Sequence, residues 1–257
     1  MNRLVGQKEP CEQSLLASVS ILLHSAWCAF IFGLIFLLIA PFALLACTRP
    51  PWHVWVYRAY LLWGIVFFRL AGIRVAIEHR AEWTDQPAIF CPNHASYLDI
   101  PMLTYALRRF FVFVGKSSLA KVPLFGIIFT RAHIAVDRDN LRSRYAVMKK
   151  SLAAIGQGKS IVLFPEGGFS ATPPQLAQFK EGPFRLAIEA QVPIIPVTIP
   201  FNWLILPDRS PLRLHNQPAK VIFHPAIPTV GLTLADVPKL QAQVRGIIQE
   251  ELLFQNA

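Results

Sequence analysis

The chain has 257 residues, 54% of them hydrophobic, with a mean hydropathy of +0.42 and a formal net charge of +10 at pH 7. That length allows one large domain or two small ones, and that hydropathy excludes a fully soluble domain of ordinary composition, so part of the apolar excess belongs in lipid. The charge calls for an anionic partner, and the four cysteines, Cys11, Cys28, Cys47 and Cys91, lack CxxC spacing, which speaks against a zinc site or a disulfide framework.

Residues 18–47 contain no Asp, Glu, Lys or Arg and a single histidine, His24. The run exceeds the ~20 apolar residues that a spanning helix needs and is too long for the core of an ordinary cleaved signal peptide. Thr48-Arg49-Pro50-Pro51-Trp52 then breaks the helix, because proline removes a donor and restricts the residue before it. A second apolar stretch, 52–73, carries Arg58, Arg69 and several Trp and Tyr, and suits an interfacial or re-entrant helix as well as a span. Residues 1–73 therefore read as a membrane-anchoring helical hairpin and 74–257 as the domain it anchors. Arg3 and Lys8 before the first helix, with Arg69, Arg74 and Arg80 after the second, favour the cytoplasmic side for both the N-terminus and that domain, at the inner membrane in a bacterium.

Beyond Ile73, short apolar runs alternate with longer periodic ones. Strands are expected at 75–77, 88–90, 111–114, 134–136, 161–164, 194–199 and 221–223, many apolar on both faces, as in a buried, largely parallel sheet. Helices are expected at 100–107, 142–155, 182–190 and 240–253, the last with Leu240, Val244, Ile247, Ile248 and Leu252 at helical spacing. The pattern predicts an α/β fold, a mostly parallel or mixed sheet flanked by helices.

Two strand ends carry candidate chemistry. After 88–90 comes Cys91-Pro-Asn-His-Ala-Ser-Tyr-Leu-Asp-Ile100, which delivers His94 to the carboxyl end of the sheet, where open α/β sheets place their ligand crevice. On one helix, residues five apart point ~140° away from each other, so His94 and Asp99 meet only if His94 lies in the turn and Asp99 at the helix start. Pro101, tolerated in a first helical turn, agrees with that geometry. Asp99 could then orient the imidazole for proton abstraction, or it could simply cap the helix in a Ser96-x-x-Asp99 box; the stretch alone favours the cap. The second strand end is Phe164-Pro-Glu-Gly-Gly-Phe-Ser170, with Glu166 in the turn and Gly167 permitting close backbone approach. Lys116, Arg131, Arg138, Lys180 and Arg185 are available for an anion, though scattered basic residues usually form a solvated face.

Together these blocks resemble the glycerolipid acyltransferase family typified by 1-acylglycerol-3-phosphate acyltransferase. Asn93 to Asp99 matches its NHxxxxD motif, and Lys116, Pro123, Gly126 and Val136-Asp137-Arg138 resemble its second block. Phe164 to Gly167 resembles the third block and Val192 to Pro196 the fourth, and Phe179-Lys180-Glu181-Gly182 resembles a further element of the family; the order is the family's own. The resemblance implies that His94, oriented by Asp99, takes the proton from a lysolipid hydroxyl that attacks the thioester of acyl-CoA or acyl-carrier protein, a co-substrate rather than a cofactor. It further implies substrate-binding roles for Asn93, Lys116, Arg138, Glu166, Gly167 and Lys180, with Arg138 on an acceptor phosphate and Glu166 positioning the glycerol, and it implies no metal. The third block departs from the family pattern, since Gly168 and Phe169 stand where Thr and Arg are common and a phosphate contact is missing. Ser117-Ser118 also stands where an acidic residue is common nearby. The expected acceptor is 1-acyl-sn-glycerol-3-phosphate; another lysophospholipid, an amino-acid-linked lyso-lipid such as lyso-ornithine lipid, and a non-catalytic lipid-binding homologue are the alternatives. Membrane lipids are expected partners; nucleic acid is not, since no signature of its recognition is present.

Overall fold

The computed structural model describes residues 15–49, 52–82, 84–137, 139–208 and 213–257. Two long helices, α1 (Leu15–Ala46) and α2 (His53–Leu70), precede seven strands: β1 (Val75–His79), β2 (Ile89–Pro92), β3 (Phe111–Lys116), β4 (Ile134–Val136), β5 (Ser160–Val162), β6 (Ile194–Thr198) and β7 (Ala219–Phe223). They form one sheet in the order β1-β7-β6-β2-β5-β3-β4, in which every neighbouring pair is parallel except β6 and β7. Each of the seven expected strands is present, and the sheet is mixed.

Helices α3 (Asp99–Ala106), α5 (Leu141–Gly156), α6 (Gly182–Ala190) and α8 (Val237–Gln255) lie where periodicity placed them, while α4 (Phe125–Ala132) and the single turn α7 (Asn202–Ile205) are additions. Successive residues of a strand point to opposite faces, and the core divides accordingly. Phe90, Phe111, Phe113, Val162, Ile195 and Val197 join the apolar residues of α1, α2 and α3 in one cluster. Ile89, Cys91, Val112, Val114, Ile161 and Ile194 pack under α5, α6 and α8 in the other. Cys91 is fully buried at the end of β2, a packing role.

Helix α1 is the one helix among the described residues long and apolar enough to cross a membrane. It is held along its length by the rest of the chain. Near its start the ring nitrogens of His24 lie 3.0 Å from the carbonyl of Ala71 and 3.4 Å from that of Leu214, and the amide of Leu214 donates to Ser25 Oγ at 2.8 Å. Further on, the indole of Trp63 donates to the carbonyl of Phe32, and Phe36 meets Phe125 of α4 edge-on. Its other face exposes Leu34, Leu37 and Leu38.

The turn into α4 is tightly built. Gly126 is buried, and a Cβ there would lie against the carbonyl of Ala120, far inside van der Waals contact. A backbone obstacle cannot swing aside like a side chain, so Gly126→Ala should destabilise the fold by about 3 kcal/mol, the upper end for overpacking, as read by denaturant unfolding in detergent.

Candidate active site

Strand β2 is the central strand of the sheet, and the chain leaves its carboxyl end straight into Asn93 and His94. Asn93 acts first on the fold. Its Oδ1 accepts from the amide of Ile199 at 2.7 Å and its Nδ2 donates to the carbonyl of the same residue at 3.0 Å, prolonging the β2–β6 pairing through a side chain. With both ends of the amide on the main chain, Asn93 clamps the turn that carries His94.

The imidazole of His94 is nearly enclosed, its side chain 10% exposed. Its Nδ1 lies 2.8 Å from Asp99 Oδ2, the geometry that the turn-then-helix arrangement requires. The same oxygen accepts from the amides of Ala95 and Ser96 at 2.8 and 3.0 Å, while Oδ1 accepts from Asn202 Nδ2 at 2.8 Å. The capping alternative therefore survives only in half. Asp99 reaches back to the amide of Ser96, but Ser96 Oγ donates to the carbonyl of Leu206 and accepts from the amide of Leu98, so the reciprocal bond of a capping box is missing. Asn202 had no signal in the sequence beyond being a polar residue after an apolar strand.

Two aromatic rings wall the imidazole, and a third backs one of them. Phe164 stacks on His94 at 3.8 Å, Phe169 meets it edge-on at 4.3 Å, and Tyr97 meets Phe169 at 4.7 Å. Phe169, at the position where the resemblance would place an arginine, is thus part of the wall around the imidazole. Among the described residues no hydrogen-bond partner holds Nε2, which leaves that nitrogen for a substrate proton.

Glu166 is buried, and both of its carboxylate oxygens are engaged by the main chain: Oε1 accepts from the amide of His94 and Oε2 from that of Ala177, each at 2.8 Å. The carboxylate ties the His94 turn to the loop after β5; the amide of Ser170, donating to the carbonyl of His94, adds a second tie. Glu166, expected beside the glycerol, thus also bridges two loops of the site. Burial raises its carboxyl to about 7, against the opposing effect of the two amide donors.

Gly167 adopts φ +73°, a backbone conformation that glycine tolerates, and a Cβ there would touch the stem of Lys180. Both residues line a groove of about 710 Å3 between α5 and α6 that shares Phe164 with the histidine's wall. Val114, Val136, Met148 and Leu163 make its interior apolar, and Arg144, Lys180 and Arg185 stand among its lining. Lys116 is exposed at the carboxyl end of β3, and Arg138 lies outside the described residues. No cluster of His, Cys, Asp and Glu suited to a metal ion occurs among the described residues.

Comparison with known proteins adds the following. The family model described as Acyltransferase matches residues 72–200. A 1-acyl-sn-glycerol-3-phosphate acyltransferase of Chlamydomonas reinhardtii is 30% identical over 56% of the chain and 43% of its own length. That of Haemophilus influenzae is 34% identical over 56% of the chain and 57% of its own. The chain thus spans less than two thirds of these relatives. The crystal structure of the 1-acyl-sn-glycerophosphate (LPA) acyltransferase PlsC from Thermotoga maritima superposes with a TM-score of 0.78 over 93% of this chain and 98% of that one, at 19% identity, a likeness of fold.

Proposed function

We propose that this chain, which belongs to the Acyltransferase family, transfers a fatty acyl group from a thioester donor to the free hydroxyl of 1-acyl-sn-glycerol-3-phosphate, giving phosphatidic acid. The observation that carries the reading is the His94–Asp99 pair, with one ring nitrogen bound to a buried carboxylate and the other unpartnered among the described residues. In this reaction Nε2 takes the hydroxyl proton as the oxygen attacks the thioester carbon, Asp99 holds the tautomer and the imidazolium, and the C–S bond breaks to release a thiol that recovers the proton. No acyl-enzyme is needed.

The donor is acyl-CoA or acyl-carrier protein, used as a co-substrate. The groove beside Phe164 and Gly167 supports such a ligand, since its interior is apolar and Arg144 and Arg185 stand in its lining, alongside Glu181 and Glu189. Lys116, Lys180 and Arg138 serve the phosphate of the acceptor. The hairpin 1–73 holds the domain 74–257 at a membrane surface on the cytoplasmic side, because a lysolipid and its diacyl product both reside in the bilayer.

A panel of lysolipids offered to the purified full chain with one labelled acyl-CoA, with products identified by mass, tests the acceptor. Phosphatidic acid should dominate, and a preference for an acceptor without a phosphate monoester would refute the assignment. In the same assay Arg138→Ala should raise KM for the phosphate-bearing acceptor by about 10- to 100-fold, the worth of a charge-assisted hydrogen bond, with little change in KM for the donor.

A further inference from the structure

Between β3 and α4 the chain turns through the 3-10 helix Ser117–Lys121 and the tripeptide Pro123-Leu124-Phe125. The amide of Phe125 donates to the carbonyl of Pro123 at 2.6 Å, and Leu124 between them sits at φ +60°, ψ −53°. That is the rare, strained hand of the γ-turn, and for a residue with a side chain it is costly. The strain presents Leu124 outward: it is 40% exposed, with Val122 and Ile127 each 46% exposed beside it. Burial cannot explain a strained turn whose apex is an exposed leucine, so something outside the described chain is the natural partner of that side chain.

Charge and continuity identify the partner. From Ile100 to Val136 there is no Asp or Glu, while Arg108, Arg109, Lys116, Lys121 and Arg131 all fall in that interval. Lys116, Lys121 and Arg131 are exposed around the turn. The segment is therefore apolar at its tip and basic at its flanks, the pattern of an element seated among anionic headgroups with its apolar side chains below them. It also adjoins the apolar surface of α1, because Phe125 packs on Phe36, the neighbour of exposed Leu37 and Leu38. Since β3 ends at this turn, a bilayer docked there would meet the carboxyl end of the sheet, to which β2 delivers His94.

We propose that residues 121–127, with Leu124 at the apex, form a second bilayer-docking surface that inserts into anionic lipid beside the exposed face of α1. The test needs no turnover. The full chain with Cys11→Ser carries a thiol-reactive, environment-sensitive dye at Leu124→Cys, at Ile127→Cys or at the control Val230→Cys, which is 79% exposed between β7 and α8. It is bound to phosphatidylglycerol/phosphatidylcholine vesicles with brominated acyl chains. Dye at 124 and 127 should shift to the blue and be quenched about threefold or more beyond dye at 230, less so in vesicles of phosphatidylcholine alone. Aqueous iodide reaching 124 as readily as 230 while the protein is vesicle-bound would overturn the proposal, as would equal quenching in neutral vesicles or protection of 124 by an acidic carrier protein instead of by lipid. Loss of acyl transfer with insertion intact would count against the proposed reaction and leave this surface standing.

Discussion

His94→Ala should lower kcat for acyl transfer by about 10²- to 10⁴-fold, the usual contribution of a positioned general base, with little change in either KM. The variant is expected to fold, because removing the ring leaves the buried carboxylate of Asp99 with three donors: the amides of Ala95 and Ser96 and the side chain of Asn202. An uncompensated buried charge, the common reason for collapse after such a substitution, is therefore avoided. Some packing is lost, since Phe164 and Phe169 both rest against the imidazole. A steady-state assay with labelled donor, alongside circular dichroism, separates the two effects. A folded variant retaining more than about a tenth of the wild-type rate would remove His94 from the base role.

Glu166→Gln should lower kcat by about 10²-fold, the cost of letting a reacting group drift by roughly an ångström, while KM for the acceptor changes far less. A glutamine has one acceptor oxygen where the carboxylate has two, so its amide nitrogen would face either the amide of His94 or that of Ala177, donor against donor. One of the two loops must let go. A direct contact to glycerol would instead raise KM, which makes the split between kcat and KM decisive.

The same substitution has a signature in stability. Burial lifts the Glu166 carboxyl from 4.5 to about 7, so between those values the folded chain holds a proton that the unfolded chain has released. This group's contribution is thus most favourable below about pH 4.5, declines as pH rises toward 7 and is level above that, a difference on the order of 3 kcal/mol. Glu166→Gln should erase that component, so denaturation at pH 5 and pH 8 should show a smaller decline for the variant than for the wild type. In the wild type, the charged form that binds both amides is obtained at the expense of stability.

The sheet was legible because buried parallel strands are short, apolar on both faces and bounded by polar turns, as 111–114 and 194–199 are. Helix α4 was missed because Phe125–Ala132 follows Pro123 closely and is too short for its periodicity to stand out from an apolar run. The pairing of His94 with Asp99 could be inferred as possible, since a turn lets residues meet that a helix would separate, but the choice between base and cap needed the ordered blocks that follow. The partners of the polar residues were hidden for a different reason. Asn93 and Glu166 look like ligand-facing groups in a turn, yet the side chain of each is engaged by main-chain atoms remote in sequence, Asn93 by Ile199 and Glu166 by the amide of His94. Sequence shows what a side chain can bond, whereas tertiary structure decides which bonds are already taken.

Those distant partners set an order of events in the making of the protein. Asn93 is locked by a residue 106 positions on, and Asp99 by one 103 positions on. Chain entropy makes such closures only modestly more costly than shorter ones, because the cost grows with the logarithm of loop length. Time is affected more, since pairings of long sequence separation form late. On the ribosome the histidine turn emerges long before the residues that hold it, and it stays unset until β6 and the start of α7 have been translated and docked. Loss of those two side-chain locks alone would unset the turn, so the chain can fall silent without coming apart.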